Sequence, residues 1–320
     1  MTSGSSNNAT GRARALVRPV LLRLATGVLV LWLTVTTAFV ALHALPGRIQ
    51  DILAGELEFP GLREAITAEW GLDRSLPQQY ADFVLRIAQG DFGTSYVMRQ
   101  PVAEVVGSQI WPTFRLALLA GLLAAALAVL VASATAARAG WVRRLASALE
   151  LAFASLPVFW LGILLLMAFS FQLQWFPVSG DEGWQAIVLP AITLALPTAG
   201  ILTQVLREAM ERALEQPFAT TVRARGVSER GLVLRHVLRH ALLPAVTLGG
   251  WLIGGLLGGA VITEKVFGRP GLGTVTLNAV LSQDVPMVLA VVLLAAFVYV
   301  LMSTLLDVLY VFIDPRLHAR

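Results

Sequence analysis

The 320-residue sequence contains no cysteine, only four histidines and only 14% charged residues. The lack of cysteine excludes disulfides, a thiolate nucleophile and cysteine-ligated metal sites. The sequence also has no serine nucleophile elbow and no HExxH pair, and its stretch GDFGTS lacks a P-loop lysine. We therefore predict that this chain is not an enzyme and that it binds no metal, nucleotide or other cofactor of its own.

Ionisable residues are scarce within the apolar runs. A proton-coupled carrier would need a series of intramembrane acids, and a secondary transporter often shows an inverted repeat; the sequence shows neither. An intramembrane enzyme would need a paired nucleophile and base within the runs, which is also absent. Three ionisable residues lie toward the ends of runs, where we expect interface or helix-capping roles: His43, Glu150 and Asp307.

Apolar residues dominate the composition, at 57% of the chain with a mean hydropathy of +0.73. Several runs approach the roughly 20 apolar residues that span a bilayer. The net charge of +4 could suggest a nucleic-acid partner. However, most basic residues lie in the two tails and in the second and fourth segments between runs, as expected of cytoplasmic segments. The pattern therefore predicts a lipid bilayer as partner and no nucleic acid.

Six apolar runs predict an all-α integral membrane protein with six transmembrane helices and both termini in the cytoplasm. The first run is too long for the core of a typical signal peptide and has no A-x-A site at its end, so we interpret it as an uncleaved span. No strand-type alternation is long enough for a barrel. The predicted N-terminal tail is 1–23, the membrane domain 24–312 and the C-terminal tail 313–320. The predicted spans are 24–45, 113–136, 149–171, 186–206, 245–262 and 287–312.

The outer loop, 46–111, is the longest segment between runs. Two stretches in it, 64–70 and 78–88, have helical character. In the second, an apolar stripe at helical spacing follows a proline suited to a helix start, and it contains Tyr80 and Phe83. We expect this amphipathic helix to rest on the bilayer face or on the helix bundle. A solute-capturing cap is the alternative, without support from particular residues.

Proline and glycine mark features inside the spans. Pro157 predicts a kink in the third span. In the fifth, Gly250, Gly254 and Gly258 recur every fourth residue, a spacing that lets helix backbones approach closely, so we predict a helix-packing face. A pore-lining role is compatible with the same glycines. The stretch GRPGLG, in the outer segment 263–286, is interpreted as a turn.

The polar interval 207–244 is crowded with arginine. Its pattern predicts two short amphipathic helices, 219–225 and 229–240, around a turn at Gly226. In the second helix, aliphatic residues recur on one face and the arginines occupy the other. A loop between spans that carries its own amphipathic helices is suited to contacting a partner.

Seven stretches, spread in order over most of the chain, resemble one family. They are GLDRSLPQQY, GDFGTSY, SLPVFWLG, LPAITLALP, RARGVSERGLVLRHVLRHALLP, EKVFGRPGLG and DVLYVFIDPR. In this order the sequence resembles the first of the two permease subunits in bacterial ABC importers of the dipeptide, oligopeptide and nickel group. The resemblance implies the type I importer permease architecture, with outer-loop helices and a cytoplasmic coupling helix.

The resemblance also implies a role for the polar interval. It is similar to the EAA loop of that family, whose glycine corresponds to Gly226 and whose closing Leu-Pro corresponds to Leu243-Pro244. Where many members carry a mostly small triplet such as Glu-Ala-Ala, this chain has Thr220-Thr221-Val222. The implied ATPase-coupling residues are Thr220, Thr221, Val222, Arg223, Ala224, Arg225, Gly226, Val227, Ser228, Glu229 and Arg230.

The same resemblance implies partners and a location. A second permease completes the pore as a heterodimer, two ATPase subunits bind ATP, and an extracytoplasmic solute-binding protein delivers cargo at the bacterial inner membrane. Two permeases would alternate between inward- and outward-facing states as the ATPases pull on the coupling helices. We favour peptide as the solute over nickel, because the four histidines are dispersed or cytoplasmic rather than grouped in a pore.

Overall fold

The structure, a computed structural model, describes residues 6–54, 60–138 and 140–313. Within these ranges the chain is helical apart from short connections and one antiparallel ribbon, in which Thr94–Ser95 (β1) pairs with Gln100–Pro101 (β2). Residues 314–320 of the predicted C-terminal tail lie outside the described residues, and so does the side chain of Asp307.

Thirteen helices are described in these ranges, and three of them adjoin one of two π-helical turns. The π-helical turns are Leu166–Gln172, which continues α7, and Leu232–Val237, which joins α10 to α11. The helices are α1 (Ser6–Ala44), α2 (Ile49–Ala54), α3 (Leu62–Trp70), α4 (Leu76–Ala88), α5 (Val102–Thr135), α6 (Trp141–Ser155), α7 (Val158–Leu165), α8 (Gln185–Leu214), α9 (Pro217–Ala224), α10 (Glu229–Gly231), α11 (Leu238–Val266), α12 (Leu272–Leu281) and α13 (Val285–Ile313).

Four helices of the described chain are long and apolar enough to cross a membrane. A fifth candidate arises if α6 and the helical stretch 158–172 form one broken span. The predicted fifth span, 245–262, falls within α11. The structure thus supports a nearly all-helical membrane protein with four to five candidate spans, and the count of six stays a prediction. The four helices are Leu22–Ala44, Val102–Thr135, Gln185–Leu214 and Val285–Leu305.

The third predicted span departs from the sequence-based expectation. Pro157 was expected to kink a continuous helix, but the helix stops at Ser155 and resumes at Val158, with a bend of 107°. Leu156 has extended backbone angles (φ −74°, ψ 132°), as the ring of a following proline favours. The proline therefore separates two helices, α6 and α7.

The chain divides into two compact units. The first comprises Met1–Ser108 and Thr276–Arg320, and the second comprises Gln109–Val275. In the first unit, α1 packs against α13 and α4. The apolar stripe predicted on α4 meets α1, because the Phe39 ring lies 5.3 Å from Tyr80 and 5.6 Å from Phe83. This confirms that the stripe rests on the bundle.

A capping box fixes the start of α4. The backbone N–H and hydroxyl of Ser75 both donate to Oε1 of Gln78, at 3.3 and 2.9 Å, and a proline occupies the first turn. The same helix is tied to α1 by polar contacts. His43 contacts Gln79 Oε1 through Nε2 at 3.1 Å, and the hydroxyls of Thr36 and Tyr80 lie 2.8 Å apart. His43 thus connects α1 to α4, and its expected position at the membrane interface stays a prediction.

In the second unit, α8 is the central helix, packed by α6, α7 and α11. One apolar core lies near its first turns and contains Leu116, Leu194 and Ala260. A second lies near its last turns and contains Leu206 and Met210. Because a helix rises about 1.5 Å per residue, the two cores contact α8 at Leu194 and Leu206, roughly 18 Å apart along the helix.

Two glycines of the predicted face of α11, Gly254 and Gly258, pack against no other part of the chain that the structure describes. A Cβ at Gly254 or Gly258 would meet no atom within 4 Å, whereas one at Gly259 would lie 2.9 Å from Cδ2 of Leu194. The close helix contact inside the unit therefore uses Gly259, one residue beyond the predicted stripe. Gly250 is buried, while Gly254 and Gly258 are exposed. A role for this stripe toward a second subunit stays a prediction.

Candidate coupling site

The residues predicted to contact a partner lie in the segment 217–231, called the turn 217–231 below, which comprises α9, the bend at Gly226 and α10. Gly226 has φ +77°, the left-handed region that favours glycine, and its N–H donates to the Arg223 carbonyl at 2.9 Å. Ser228 is the N-cap of the next helix, α10, and its Oγ accepts from the N–H of Gly231 at 3.3 Å. The predicted glycine turn is therefore present at the predicted residue.

An ion pair bridges the two sides of this turn. Arg223 Nε lies 2.6 Å from Oε1 of Glu229, and Nη2 lies 3.3 Å from Oε2. The hydrogen bond from Arg223 lowers the pKa of the Glu229 carboxyl from its ordinary value. Because both side chains are largely exposed, the pair stabilises the turn only slightly.

Apolar residues beneath the turn attach it to the core near the last turns of α8. Ala219 of α9 is fully buried, and so are Leu232 and Val237 in the π-helical turn. These residues pack with Leu206 and Met210 of α8 in one cluster. The Phe218 and His240 rings add a contact, with centroids 4.7 Å apart. The turn is therefore packed against α8 through buried side chains and does not project as an isolated loop.

The second predicted short helix does not exist as a separate element. Residues 229–240 continue through the π-helical turn into α11, which runs on to Val266 with Pro244 inside it. The buried stripe of Leu232, Val233, Val237 and Ala241 extends to Ala245. Packing of this continuous stripe outweighs the backbone hydrogen bond that Pro244 cannot make.

The outer surface of the turn is polar and cationic. In the described part of the chain, Arg225 and Arg230 form no ion pair, which leaves two cations exposed beside the Arg223–Glu229 pair. Val222 and Val227 are half-buried. The other predicted coupling residues are exposed: Thr220, Thr221, Arg223, Ala224, Arg225, Gly226, Ser228, Glu229 and Arg230.

A buried ion pair joins α6 to α8 at Glu150, for which the sequence suggested an interface or capping role. Arg207 donates to both carboxylate oxygens of Glu150, at 2.7 and 2.6 Å, and both side chains are 7% exposed. The same guanidinium contacts the Thr135 hydroxyl at 3.4 Å. The helix-capping role expected for Glu150 was therefore wrong, and its position at the membrane interface stays a prediction. One signal was available: a single acid and a single base, each toward the end of a different apolar run.

A second buried acid organises the opposite end of the unit. Glu264, 1% exposed, accepts hydrogen bonds from the Thr113 hydroxyl at 2.6 Å and from the Gly273 N–H at 2.8 Å. The Thr274 N–H also donates to it, at 3.3 Å. Thr113 in turn accepts from the Leu272 N–H at 2.8 Å. The predicted GRPGLG turn thus wraps around a carboxylate that also caps α12.

These features define a class of protein. The apolar helices are those of an integral membrane protein, and its second unit carries a cationic turn mounted on a long helix at one end. At the other end a buried carboxylate joins three helices.

Comparison with known proteins identifies the family. The family described as binding-protein-dependent transport system inner membrane component matches residues 119–319. The glutathione transport system permease protein GsiC of Salmonella typhimurium is 36% identical over 302 residues, which is 94% of this chain and 99% of the relative. Proteins of the same name in Pectobacterium atrosepticum and Escherichia coli K12 are 35% and 34% identical, each over 91% of this chain and 95% of the relative.

The chain belongs to the binding-protein-dependent transport system inner membrane component family. It is a permease subunit of an ABC importer in the peptide and nickel group, which confirms the resemblance seen in the sequence motifs. Such subunits work within a partnered complex and are not enzymes themselves.

Proposed function

We propose that this chain forms one half of a translocation pathway for glutathione or related short peptides. The other half is a second permease subunit, and two ATPase subunits supply the energy while this chain holds no cofactor. A solute-binding protein delivers cargo on the side opposite the ATPases. The relatives at 34–36% identity are named for glutathione transport, and glutathione is a tripeptide, which supports a peptide-class solute over nickel.

The observation that supports the coupling role is the buried apolar contact between the turn 217–231 and the last turns of α8. Its cationic surface is exposed, while Ala219 and Leu232 are buried in the core at the end of α8. Exposed cations around a rigid apolar base suit a partner surface that offers acidic residues and an apolar cleft. A force applied to the turn would pass directly into α8, which is the mechanical requirement for coupling ATP hydrolysis to movement of the spans.

Solute identity is tested by uptake into proteoliposomes. The vesicles contain this chain with its second permease and two ATPases, and the binding protein is added outside together with radiolabelled glutathione. We expect ATP-dependent uptake that excess unlabelled glutathione abolishes and that nickel leaves unchanged. Uptake of nickel alone, with no uptake of glutathione or of a dipeptide, would assign the importer to the metal branch of the group.

The proposed topology has six spans, with the tails and the turn 217–231 in the cytoplasm. Arginine enrichment on that side supports the orientation. Because the chain has no cysteine, a cysteine introduced at Glu229 or at Glu182 is the only thiol in this subunit. Both positions are exposed. A membrane-impermeant maleimide added to right-side-out vesicles should label the cysteine at 182 and leave that at 229 unmodified until the membrane is opened. Labelling of both from the same side would contradict the topology.

A further inference from the structure

A buried ion pair joins α6 to α8 outside the proposed coupling turn. We infer that the buried Glu150–Arg207 pair is a positioning element, which makes α6 move together with α8 when the turn 217–231 is displaced. This inference rests on the proposed coupling function of that turn.

The two helices are joined at three places along their length. A Cβ added at Gly200 would lie 2.6 Å from the Glu150 carbonyl oxygen, so the α6 backbone touches α8 there. Seven residues farther along α8, Arg207 binds Glu150 through both carboxylate oxygens. Beyond it, Arg143 Nη2 contacts Glu211 at 3.0 Å on the surface. The contact therefore continues to the stretch of α8 that carries the turn.

The chemistry of the central contact resists sliding. A bidentate guanidinium–carboxylate pair has two directional hydrogen bonds and so has one favourable register, whereas apolar packing is non-directional. Burial also makes separation of the two charges costly, because each would be left without a partner away from water. The pair is therefore suited to holding α6 in one register on α8 under load.

The far end of α6 is followed by a sharp bend in the chain. Helix α6 ends at Ser155, and the break at Leu156–Pro157 bends the chain by 107° before α7. Helix α7 also contacts α8, since a Cβ at Gly162 would lie 3.4 Å from Thr193, but Thr193 lies in the first half of α8 whereas Arg207 lies in the second half. A displacement of the turn would thus move α6 together with the last turns of α8, and the bend at Pro157 lies between α6 and α7.

The decisive variant replaces both charged side chains of the pair by apolar side chains of similar volume. Glu150→Leu/Arg207→Met leaves no unpaired charge, so we expect normal assembly with the second permease and normal retention of the ATPases in a pull-down. Without directional bonds α6 slips on α8, and the amount of labelled glutathione taken up per ATP hydrolysed falls roughly tenfold. The matched control, Arg143→Gln/Glu211→Gln, removes the exposed pair between the same helices and should change that ratio less than about twofold.

A second variant decides the question if the double substitution prevents assembly. Gly200→Ala leaves both charges but pushes the two backbones apart, and it should also lower uptake per ATP, while Gly107→Ala in α5, where a Cβ meets nothing within 4 Å, should not. A normal ratio in an assembled Glu150→Leu/Arg207→Met or Gly200→Ala complex would overturn the inference and leave the pair a structural contact. Loss of ATPase retention after a substitution within the turn 217–231, by contrast, would test the proposed coupling role of that turn and not the role of this pair.

Discussion

Replacing the buried Glu264 by alanine is expected to lower the free energy of unfolding by about 3 kcal/mol. The carboxylate accepts hydrogen bonds from the Thr113 hydroxyl and from the N–H groups of Gly273 and Thr274. Each donor left unsatisfied in a buried site costs roughly 1–3 kcal/mol. The midpoint of thermal aggregation of the purified complex in detergent measures the effect.

Two further variants sharpen this test. Glu264→Gln keeps one acceptor oxygen but places an amide N–H₂ near the donors, so we expect an intermediate loss. Glu104→Ala is the matched control, because Glu104 is exposed in the first turn of α5 and a change there should cost well under about 1 kcal/mol. Equal midpoints for Glu264→Ala and Glu104→Ala would show that the buried carboxylate does not hold this end of the second unit together.

Features set by local pattern were predictable from the sequence. The amphipathic stripe on α4 follows from helical spacing, and the turn at Gly226 follows from a glycine between two arginine-rich stretches. Both need only neighbouring residues to form. The family motifs also pointed to the correct class, because their order along the chain is specific even where each stretch is generic.

Features set by distant partners were not predictable. Glu150 and Arg207 are 57 residues apart, and Thr113 and Glu264 are 151 apart, so a local stretch does not show which distant residue its acid or base contacts. A proline such as Pro157 signals a disturbed helix, but the 107° bend depends on how α6 and α7 each pack against α8. The predicted end of the helix 229–240 was wrong for the same reason. The buried stripe continues past residue 240 into α11.

Replacing Gly226 by valine is expected to abolish solute-stimulated ATP hydrolysis and uptake together. Gly226 has φ +77°, and a Cβ there would meet no atom within 4 Å, so the penalty is conformational rather than steric. A left-handed backbone costs an ordinary L-residue about 1–2 kcal/mol, and a β-branched residue tolerates it least. The turn would therefore adopt another geometry and misplace Arg225 and Arg230, while the core around Ala219 and Leu232 keeps the subunit folded.

The most direct test of the coupling role is the ATPase rate of the reconstituted complex, with and without loaded binding protein, alongside a pull-down of the ATPase subunits. Gly226→Asn is the matched control, because asparagine adopts the left-handed conformation far more readily than valine. We expect Gly226→Asn to keep most of the stimulation. Gly226→Val should lose stimulation and retain the ATPases poorly, although the subunit is still inserted. Normal stimulation and normal ATPase retention in Gly226→Val would contradict the claim that the turn 217–231 couples this permease to ATP hydrolysis.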